Sequence, residues 1–318
     1  MTRRLISVLL CAFALLLLMG AGIAPQQSAA LLAEEESVVS AALLKKQNMN
    51  EANGGMVHAA VGASPLALAE QMEESILIDG AQAPLEIGEE RINGVTYVSL
   101  AVMAQMLDEN AKVTWSEASG LVTVTTDKLN LTAKVGQLYM EANGRYLYLP
   151  EGVQMINGRV SVPLTAVVKA FDGTVAWDAE TEVISVTRGS GAILSGDAFY
   201  DEDTLFWLSR IIYAESGNQC LEGQMAVGNV VMNRVANPIF PDTIKEVLAQ
   251  KNQFSPYKNG KLANRTPNAS SVIAAKLVLD GGEVEETLGA LYFDSRSTSW
   301  ASRNKECLAV IGGHKFFK

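Results

Sequence analysis

The sequence predicts a multidomain protein in which a β-rich α+β domain of two related halves precedes a mainly helical domain. Short strand-like runs with Asn-Gly turns occur twice between residues 75 and 188, and helical apolar spacing begins near residue 201. A stretch rich in Gly and Ser, residues 189–200, is typical of a linker between the two. At 318 residues, the chain is long enough for two ordinary domains and additional segments.

Residues 1–30 have the order of a secretory signal peptide. Arg3 and Arg4 precede an apolar run, residues 5–19, and the small residues 28–30 follow. This order is typical of a signal that is cleaved on export. The alternative is an uncleaved membrane anchor, although a spanning helix needs nearer ~20 apolar residues. We therefore expect a secreted or cell-envelope protein that meets a membrane only through this segment, if it is uncleaved.

The composition excludes several classes of partner and cofactor. Lys and Arg total 25 against 35 Asp and Glu, so the net charge of −10 leaves no surplus of cations for a nucleic acid. Three cysteines and two histidines are too few and too scattered for a zinc framework. We expect no nucleic acid, no metal and no cofactor.

An internal repeat begins after residues 31–74, which lack a sustained period and are predicted to be a tether, part of it helical. Each copy has the same segments in the same order: Ile92-Asn93-Gly94, Val98-Ser99-Leu100 and Val113-Thr114-Trp115 return as Ile156-Asn157-Gly158, Val162-Pro163-Leu164 and Val175-Ala176-Trp177. Each copy predicts a hairpin turn, a strand, a short helix (residues 101–107 and 165–171) and a strand pair around the Trp. The repeat therefore predicts one domain over residues 75–188.

This repeat resembles the copper amine oxidase N-terminal-like, or stalk, domain, whose halves carry an NG-x-x-[FY]-VPL…W-D pattern. The second copy matches it well, while the first has Ser99 in place of Pro and Ser116 in place of Asp. Residues 75–188 contain no His or Cys, so a copper site is not expected. The resemblance implies a cell-surface accessory module.

The second domain, residues 201–318, is predicted to begin with a helix that has one apolar face. Asp201 or Asp203 can cap its N-terminus, and Gly217 is suited to end it. A following helix, residues 221–235, contains Gly228, which would permit close packing against the first. The first helix's apolar residues recur at 3, 4 and 7 spacing: Leu205, Leu208, Ile211 and Ile212.

Glu215 shares the apolar face of the first helix, since it follows Leu208 by seven residues and Ile212 by three. Desolvation and the negative end of the helix dipole would both raise its pKa. A carboxylic acid that stays protonated near neutral pH is what protonation of a glycosidic oxygen requires. The spacing alone also fits a solvated glutamate at a fraying helix end.

Further polar and aromatic residues of this domain are candidates for sugar binding. Amides hydrogen-bond sugar hydroxyl and acetamido groups, and aromatic rings stack on sugars. Asn229 and Asn233 share one helix face, although solvated asparagines fit the pattern as well, and a lone His314 is as compatible with a structural role. The substrate-binding candidates are Asn229, Gln253, Phe254, Ser255, Tyr292 and His314.

Residues 203–317 resemble the SleB/CwlJ-type cell-wall hydrolases. The matching segments, in the family's order, are YAESG at 213–217, EGQMAVGNVVMNRV at 222–235, FP at 240–241, QFS at 253–255, LYF at 291–293 and IGGHKFF at 311–317. The resemblance implies cleavage of peptidoglycan glycan strands, with Glu215 at the catalytic position. It also implies a lysozyme-like fold related to goose-type lysozyme and the lytic transglycosylases. Phe317 stands where Tyr is common, and Gly313 where Asn is common.

A single glutamate favours a lytic transglycosylase that cuts between N-acetylmuramic acid and N-acetylglucosamine. Ordinary glycosidases need two carboxylates, and the candidates for a second acid, Glu222 and Asp294, have no clear claim. A transglycosylase needs only one, because the muramyl 6-hydroxyl of the substrate attacks the anomeric carbon. The alternatives are a hydrolytic muramidase or glucosaminidase, and a non-catalytic wall-binding surface protein.

Cys220 and Cys307 are candidates for a disulfide in an exported protein. Such a bridge would close a long loop and stabilise the fold by roughly 4 to 5 kcal/mol in the chain-entropy model. The alternative is two unpaired, buried thiols. Their spacing to His314 matches neither a zinc site nor a Cys-His nucleophile.

Overall fold

The computed structural model describes residues 75–251 and 253–318. The predicted signal peptide (1–30) and tether (31–74) lie outside the described residues. One hydrophobic core is built from residues between Ile76 and Ile193, and a second from residues between Leu208 and Phe316. The predicted order, a β-rich region followed by a mainly helical region, is confirmed.

The β-rich region consists of short strands in three sheets and two short helices. Its strands are β1 (Ser75–Ile78), β2 (Ala81–Gln82), β3 (Glu90–Ile92), β4 (Val95–Ser99), β5 (Lys112–Ser116), β6 (Leu121–Thr125), β7 (Asn130–Lys134), β8 (Tyr139–Ala142), β9 (Arg145–Tyr148), β10 (Gln154–Ile156), β11 (Arg159–Pro163), β12 (Thr174–Asp178) and β13 (Val183–Thr187). Its helices are α1 (Leu100–Leu107) and α2 (Leu164–Ala170). The sheet orders are β12-β13-β1-β2, β10-β11-β4-β3 and β5-β6-β7-β8-β9.

A turn, a strand, a helix and two strands follow one another twice along this region. Asn93 and Asn157 both have φ of 49°, and Gly94 and Gly158 have φ of 81° and 76°. Two consecutive positive φ angles are what a type I′ two-residue hairpin turn requires, which is why Asn-Gly is suited to both turns. The two halves meet where β4 and β11 pair in antiparallel fashion, with Val98 opposite Val162.

The helical region contains seven helices and a small antiparallel sheet among the described residues. The helices are α3 (Gly196–Phe199), α4 (Glu202–Ser216), α5 (Leu221–Ala236), α6 (Ile244–Ala249), α7 (Ser255–Lys258), α8 (Ala269–Leu279) and α9 (Trp300–Asn304). The strands are β14 (Tyr292–Asp294), β15 (Cys307–Ile311) and β16 (His314–Phe317), in the order β14-β16-β15.

Caps and one glycine fix the packing of α4, α5 and α8. The Asp201 side chain accepts a hydrogen bond from the Thr204 N–H at 2.8 Å, and Gly217 is the C-cap of α4. A Cβ added at Gly228 would lie 2.9 Å from Ile212 Cδ1 and 3.1 Å from Val278 Cγ2, so α5 approaches both neighbours as closely as its backbone allows. The predicted caps and close packing are confirmed, with Asp201 rather than Asp203 as the N-cap.

Residues 189–200, predicted as a linker, form an ordered connection. Ile193 belongs to the first core, and Tyr200 is buried. The Gly196 N–H donates to the Asn143 carbonyl at 2.8 Å, and a side chain at Gly196 would collide with the Gly144 carbonyl. Gly196 is therefore needed because two backbone segments approach each other closely here, and not because a linker must be flexible.

Candidate active site

Glu215 lies in the last turn of α4, beside an open groove of about 390 Å³. The groove is lined by Ala214, Glu215, Arg234, Gln253, Phe254, Ser255, Pro256, Phe293, Asp294, Ser295, Arg296 and His314. Burial raises the pKa of Glu215, and the positive charge of Arg265 opposes this rise without cancelling it. The carboxyl group is therefore half-buried and still reachable from the groove, as a general acid must be.

The local sequence explains why the carboxyl is held in this way. Leu208 and Ile212 are fully buried, two turns and one turn before Glu215, so the helix face that carries them brings Glu215 to the edge of the core. Gly217 ends the helix directly afterwards, and its carbonyl accepts a hydrogen bond from Asn268 Nδ2 at 3.0 Å. Since Asn268 is the N-cap of α8, this hydrogen bond connects the C-terminal end of α4 to the N-terminal end of α8, close to Glu215.

One wall of the groove is made by the strands β14 and β16. Phe293 and His314 contact each other edge to face, with ring centroids 5.5 Å apart. Burial lowers the pKa of His314, while the charge of Asp294 opposes this. The ring therefore favours the neutral form, and its Nδ1 is buried without a hydrogen-bond partner among the described residues.

Arg234 of α5 is a groove residue that the sequence analysis did not single out. It is only 3% exposed; its Nε donates to the Leu291 carbonyl at 2.8 Å and its Nη1 to Gln253 Oε1 at 2.9 Å. Burial lowers its pKa to about 10. Helical spacing could have identified Arg234, because it follows the buried Val230 and Val231 by four and three residues. A charged side chain on such an apolar face needs a partner.

The structure brings most of the predicted site residues together. Glu215, Gln253, Phe254, Ser255 and His314 line the groove. Tyr292 lines the continuation of this groove along β14. Arg234 and Gln253 line that continuation as well. Residues from α4, the loop before α7, β14 and β16 thus converge at one place, although they are distant in sequence.

Asn229 does not line the groove, which corrects the prediction that it binds substrate. Its Nδ2 donates to the Gly282 carbonyl at 2.9 Å, and its Oδ1 accepts from the Val284 N–H at 3.2 Å. It is 6% exposed, so its amide is satisfied within the protein. Asn233 likewise donates to the Ala290 carbonyl at 3.0 Å. Both amides hold the segment after α8 against α5.

The two candidates for a second acid lie in different places. Asp294 lines the groove, and its Oδ1 accepts from the Arg296 N–H at 2.7 Å. Glu222 is in the first turn of α5 and does not line the groove. Burial raises the pKa of Tyr148 in β9 to about 12, and the charge of Glu222 adds to this rise. Of the two, only Asp294 shares a groove with Glu215.

Cys220 and Cys307 are both exposed and free, which corrects the prediction of a bridge and its alternative of buried thiols. Cys220 caps α5, and a Cβ added at Gly223 would lie 3.5 Å from its Sγ and 3.7 Å from Ile311 Cγ2, at the end of β15. Cys307 begins β15, and four residues of strand span about 13 Å. Cys220 therefore lies near the opposite end of β15 from Cys307, and neither thiol is bridged.

Within residues 75–251 and 253–318, no cluster of three or more His, Cys, Asp or Glu side chains is arranged to hold a metal ion. The β-rich region lacks His and Cys throughout, so its side chains do not fit a copper ion. Over the same described ranges, no helix combines the length and the apolar character needed to cross a bilayer.

Two families match different parts of the chain. Residues 218–317 match the Cell Wall Hydrolase family, so Glu215 lies just before the matched stretch. Residues 77–186 match the Copper amine oxidase N-terminal domain family. The spore cortex-lytic enzyme of Bacillus cereus is 30% identical over 123 residues, which cover 37% of this chain and 46% of that protein. The spore cortex-lytic enzyme of Bacillus subtilis is 27% identical over 112 residues, 34% of this chain and 35% of that protein.

The similarity to these relatives is therefore confined to less than half of their length. Among solved structures, the catalytic domain of the Bacillus cereus SleB protein is 28% identical and covers 37% of this chain and 92% of its own, with a TM-score of 0.34. The catalytic domain of the germination-specific lytic transglycosylase SleB from Bacillus anthracis is 28% identical and covers 40% and 100%, with a TM-score of 0.34. By the two family matches, the chain carries a cell wall hydrolase domain over residues 218–317, preceded by a copper amine oxidase N-terminal domain over residues 77–186.

Proposed function

We propose that the protein cleaves the glycan strands of peptidoglycan as a lytic transglycosylase, with Glu215 as the catalytic acid and base. The observation that carries this proposal is the half-buried Glu215 carboxyl, whose pKa is raised by burial while the group remains open to a polar groove. The cell wall hydrolase domain and relatives named spore cortex-lytic enzymes support the substrate class. The groove residues Gln253, Phe254, Ser255, Tyr292 and His314 are proposed to bind the sugars.

One carboxyl group suffices for the proposed reaction. Protonated Glu215 donates its proton to the glycosidic oxygen between N-acetylmuramic acid and N-acetylglucosamine, and the bond from that oxygen to the muramyl C1 breaks. The muramyl 6-hydroxyl oxygen then bonds to C1, and the Glu215 carboxylate takes the hydroxyl proton. The products are a free sugar hydroxyl and a 1,6-anhydromuramyl end. No water is consumed, and the acid is regenerated.

Asp294 supports hydrolysis as a second candidate. It lies in the same groove as Glu215, so it can act as a base for an attacking water, the second carboxylate that ordinary glycosidases use. The product then has a reducing muramyl or glucosaminyl end. The Asp294→Asn variant separates the two routes, because only hydrolysis by this route requires the carboxylate.

Mass spectrometry of fragments released from purified peptidoglycan tests the proposal. We expect anhydromuramyl ends from the native chain and a loss of release of about 10²- to 10⁴-fold in Glu215→Gln, the usual contribution of a general acid. Glu222→Gln is the matched control, since it removes the same charge outside the groove. Reducing ends in place of anhydro ends would favour hydrolysis. Undiminished release by Glu215→Gln would remove this residue from its role and support a different site.

We propose export by a signal peptide over residues 1–30, a tether (31–74), an accessory domain of two repeats (75–188), a connection (189–200) and a lysozyme-like domain (201–318). Spore cortex and vegetative wall are compared as substrates in the same assay. A non-catalytic wall-binding protein would bind either material and release nothing from it.

A further inference from the structure

The groove beside Glu215 continues along β14 into a second open volume of about 620 Å³. Arg234, Gln253, Phe293, Asp294 and Arg296 line both volumes, so the two form one elongated cleft. We call this second volume the distal cleft. It is bounded by Tyr292, Trp300 and Arg303, together with small polar residues.

The distal cleft is cationic in a protein that is acidic as a whole. Its charged lining residues are Arg234, Arg296 and Arg303 against one acidic residue, Asp294, which gives a local formal charge of +2 in a chain of −10. The Arg296 side chain is 80% exposed, and its Nε lies 3.4 Å from Asp294 Oδ1. Arg303 is exposed as well. Both guanidinium groups are therefore exposed in the cleft, that of Arg303 and that of Arg296 beside its partner Asp294.

An exposed aromatic surface lies beside these cations. Tyr292 and Trp300 contact each other edge to face, with centroids 5.6 Å apart, and Trp300 is 56% exposed. The Lys305 ammonium lies 5.0 Å from the Tyr292 centroid and 6.0 Å from that of Trp300. A capping box between Ser299 and Ser302 fixes the turn that carries Trp300. The backbone that carries Trp300 is thus fixed, and its exposed indole, in contact with Tyr292, can stack on a ligand.

We propose that the distal cleft binds a carboxylate-bearing muramyl residue of the glycan strand, with its sugar ring on Trp300 and its carboxylate on Arg303 and Arg296. This inference rests on the proposed function and adds the charge of the preferred substrate. Guanidinium groups suit carboxylates because they donate two parallel hydrogen bonds. The carboxylate has two sources in peptidoglycan: the lactyl group when it carries no peptide, and the peptide stem when it does.

Binding to three soluble oligosaccharides tests the inference, using the full chain with Glu215→Gln so that no ligand is cleaved. The ligands are muramyl oligomers with peptide stems, the same oligomers with stems removed and lactyl carboxylates free, and a neutral chitin oligomer of equal length. We expect both or one of the anionic ligands to bind more tightly than the neutral one. The ligand that shows the preference identifies which carboxylate is recognised.

Substitutions in the same background assign the preference to the distal cleft. Arg303→Gln should weaken binding of the preferred anionic ligand by about three- to tenfold and leave the neutral oligomer unchanged. Trp300→Leu should weaken binding of every ligand that the chain binds. Lys134→Gln, an exposed charge on β7, is the control and should change neither.

Two results would overturn the inference while the proposed function stands: equal affinity for anionic and neutral oligomers, or an Arg303→Gln effect no larger than that of Lys134→Gln. Absence of binding to all three ligands would overturn the inference too. The proposed function is judged separately, by fragment release from peptidoglycan with the native chain.

Discussion

Arg145 and Asp280 form a bidentate ion pair, in which Arg145 Nε donates to Asp280 Oδ2 and Nη2 to Oδ1, each at 2.7 Å. Lys169 Nζ lies 2.7 Å from the same carboxylate, whose side chain is 2% exposed. Arg145 belongs to β9 and Asp280 follows α8, so the pair connects the β-rich region with the helical region. Burial acts to raise the pKa of Asp280, but hydrogen bonds from Arg145 and Lys169 outweigh it and hold the pKa below its usual range.

Replacing Arg145 with Met should destabilise the protein by about 3–5 kcal/mol, because it leaves a buried carboxylate with one cation fewer. Urea unfolding followed by tryptophan fluorescence measures the change. The control is Asp79→Asn, which removes the exposed pair between Asp79 and Arg188 and should cost less. Equal losses of unfolding free energy in the two variants would mean that the buried ion pair stabilises the fold no more than the exposed one.

The Asp280 pair should also make stability depend on acid pH. Because the folded-state pKa is lowered, this group's contribution is complete above the ordinary carboxyl range and is lost as the pH falls through the folded-state pKa. Asp280→Asn should therefore flatten the acid limb of a plot of the free energy of unfolding against pH. A limb of unchanged slope would assign the acid sensitivity to other carboxylates.

We expect the buried Glu215 carboxyl, whose raised pKa suits an acid catalyst, to reduce the stability of the fold. Its folded-state pKa is raised by burial, so its favourable contribution is complete below the ordinary carboxyl range and is lost as the pH rises through the raised value. Glu215→Gln should raise the melting temperature at pH 8, and by more than at pH 4. The gain is compared between pH 4 and pH 8 in the native chain and in Glu215→Gln. A destabilised Glu215→Gln at pH 8 would contradict the proposed burial cost.

Substitutions of Asn229 and Ser255 should distinguish a structural role from a substrate-binding role. Asn229→Ala leaves a buried carbonyl and a buried N–H without their partners and should reduce stability by about 1–3 kcal/mol. Ser255 is exposed in the groove, so Ser255→Ala should leave the melting temperature unchanged and lower glycan release by about tenfold, the equivalent of one hydrogen bond of ~1.4 kcal/mol. Thermal melts and release rates on the same preparations distinguish the effects. The reverse pattern would exchange the two roles.

His314 should make the fold less stable at mildly acidic pH. Burial lowers its folded-state pKa, so the unfolded chain binds more protons and stability falls as the pH drops through the ordinary imidazole range, near ~6.5. His314→Phe preserves a ring against Phe293 and Phe316 and should reduce the loss between pH 7.5 and about pH 5.5. Identical losses in the variant and the native chain would exclude His314 as the cause.

Local patterns in the sequence were sufficient for much of the fold. Asp201 and Gly217 bound α4 as predicted, because caps act through neighbouring backbone groups. Asn93 and Asn157 begin turns as predicted, since the left-handed backbone of these turns suits Asn-Gly. Helical spacing also assigned Glu215 to the apolar face of α4, but the same spacing fitted a solvated glutamate, and the structure decided for the buried position.

The sequence by itself determined the order of elements and one candidate acid, because hydrophobic periodicity, caps and turns depend on residues a few positions apart. Only the tertiary structure decided that Asp294 and Arg234 join Glu215 at the groove, and that Asn229 turns to the backbone of residues 282–284. The physical reason is that such partners are set by how α5, β14 and the segment after α8 pack in space. Helix periodicity identifies the face a side chain occupies, but the element that faces it is fixed by long-range packing.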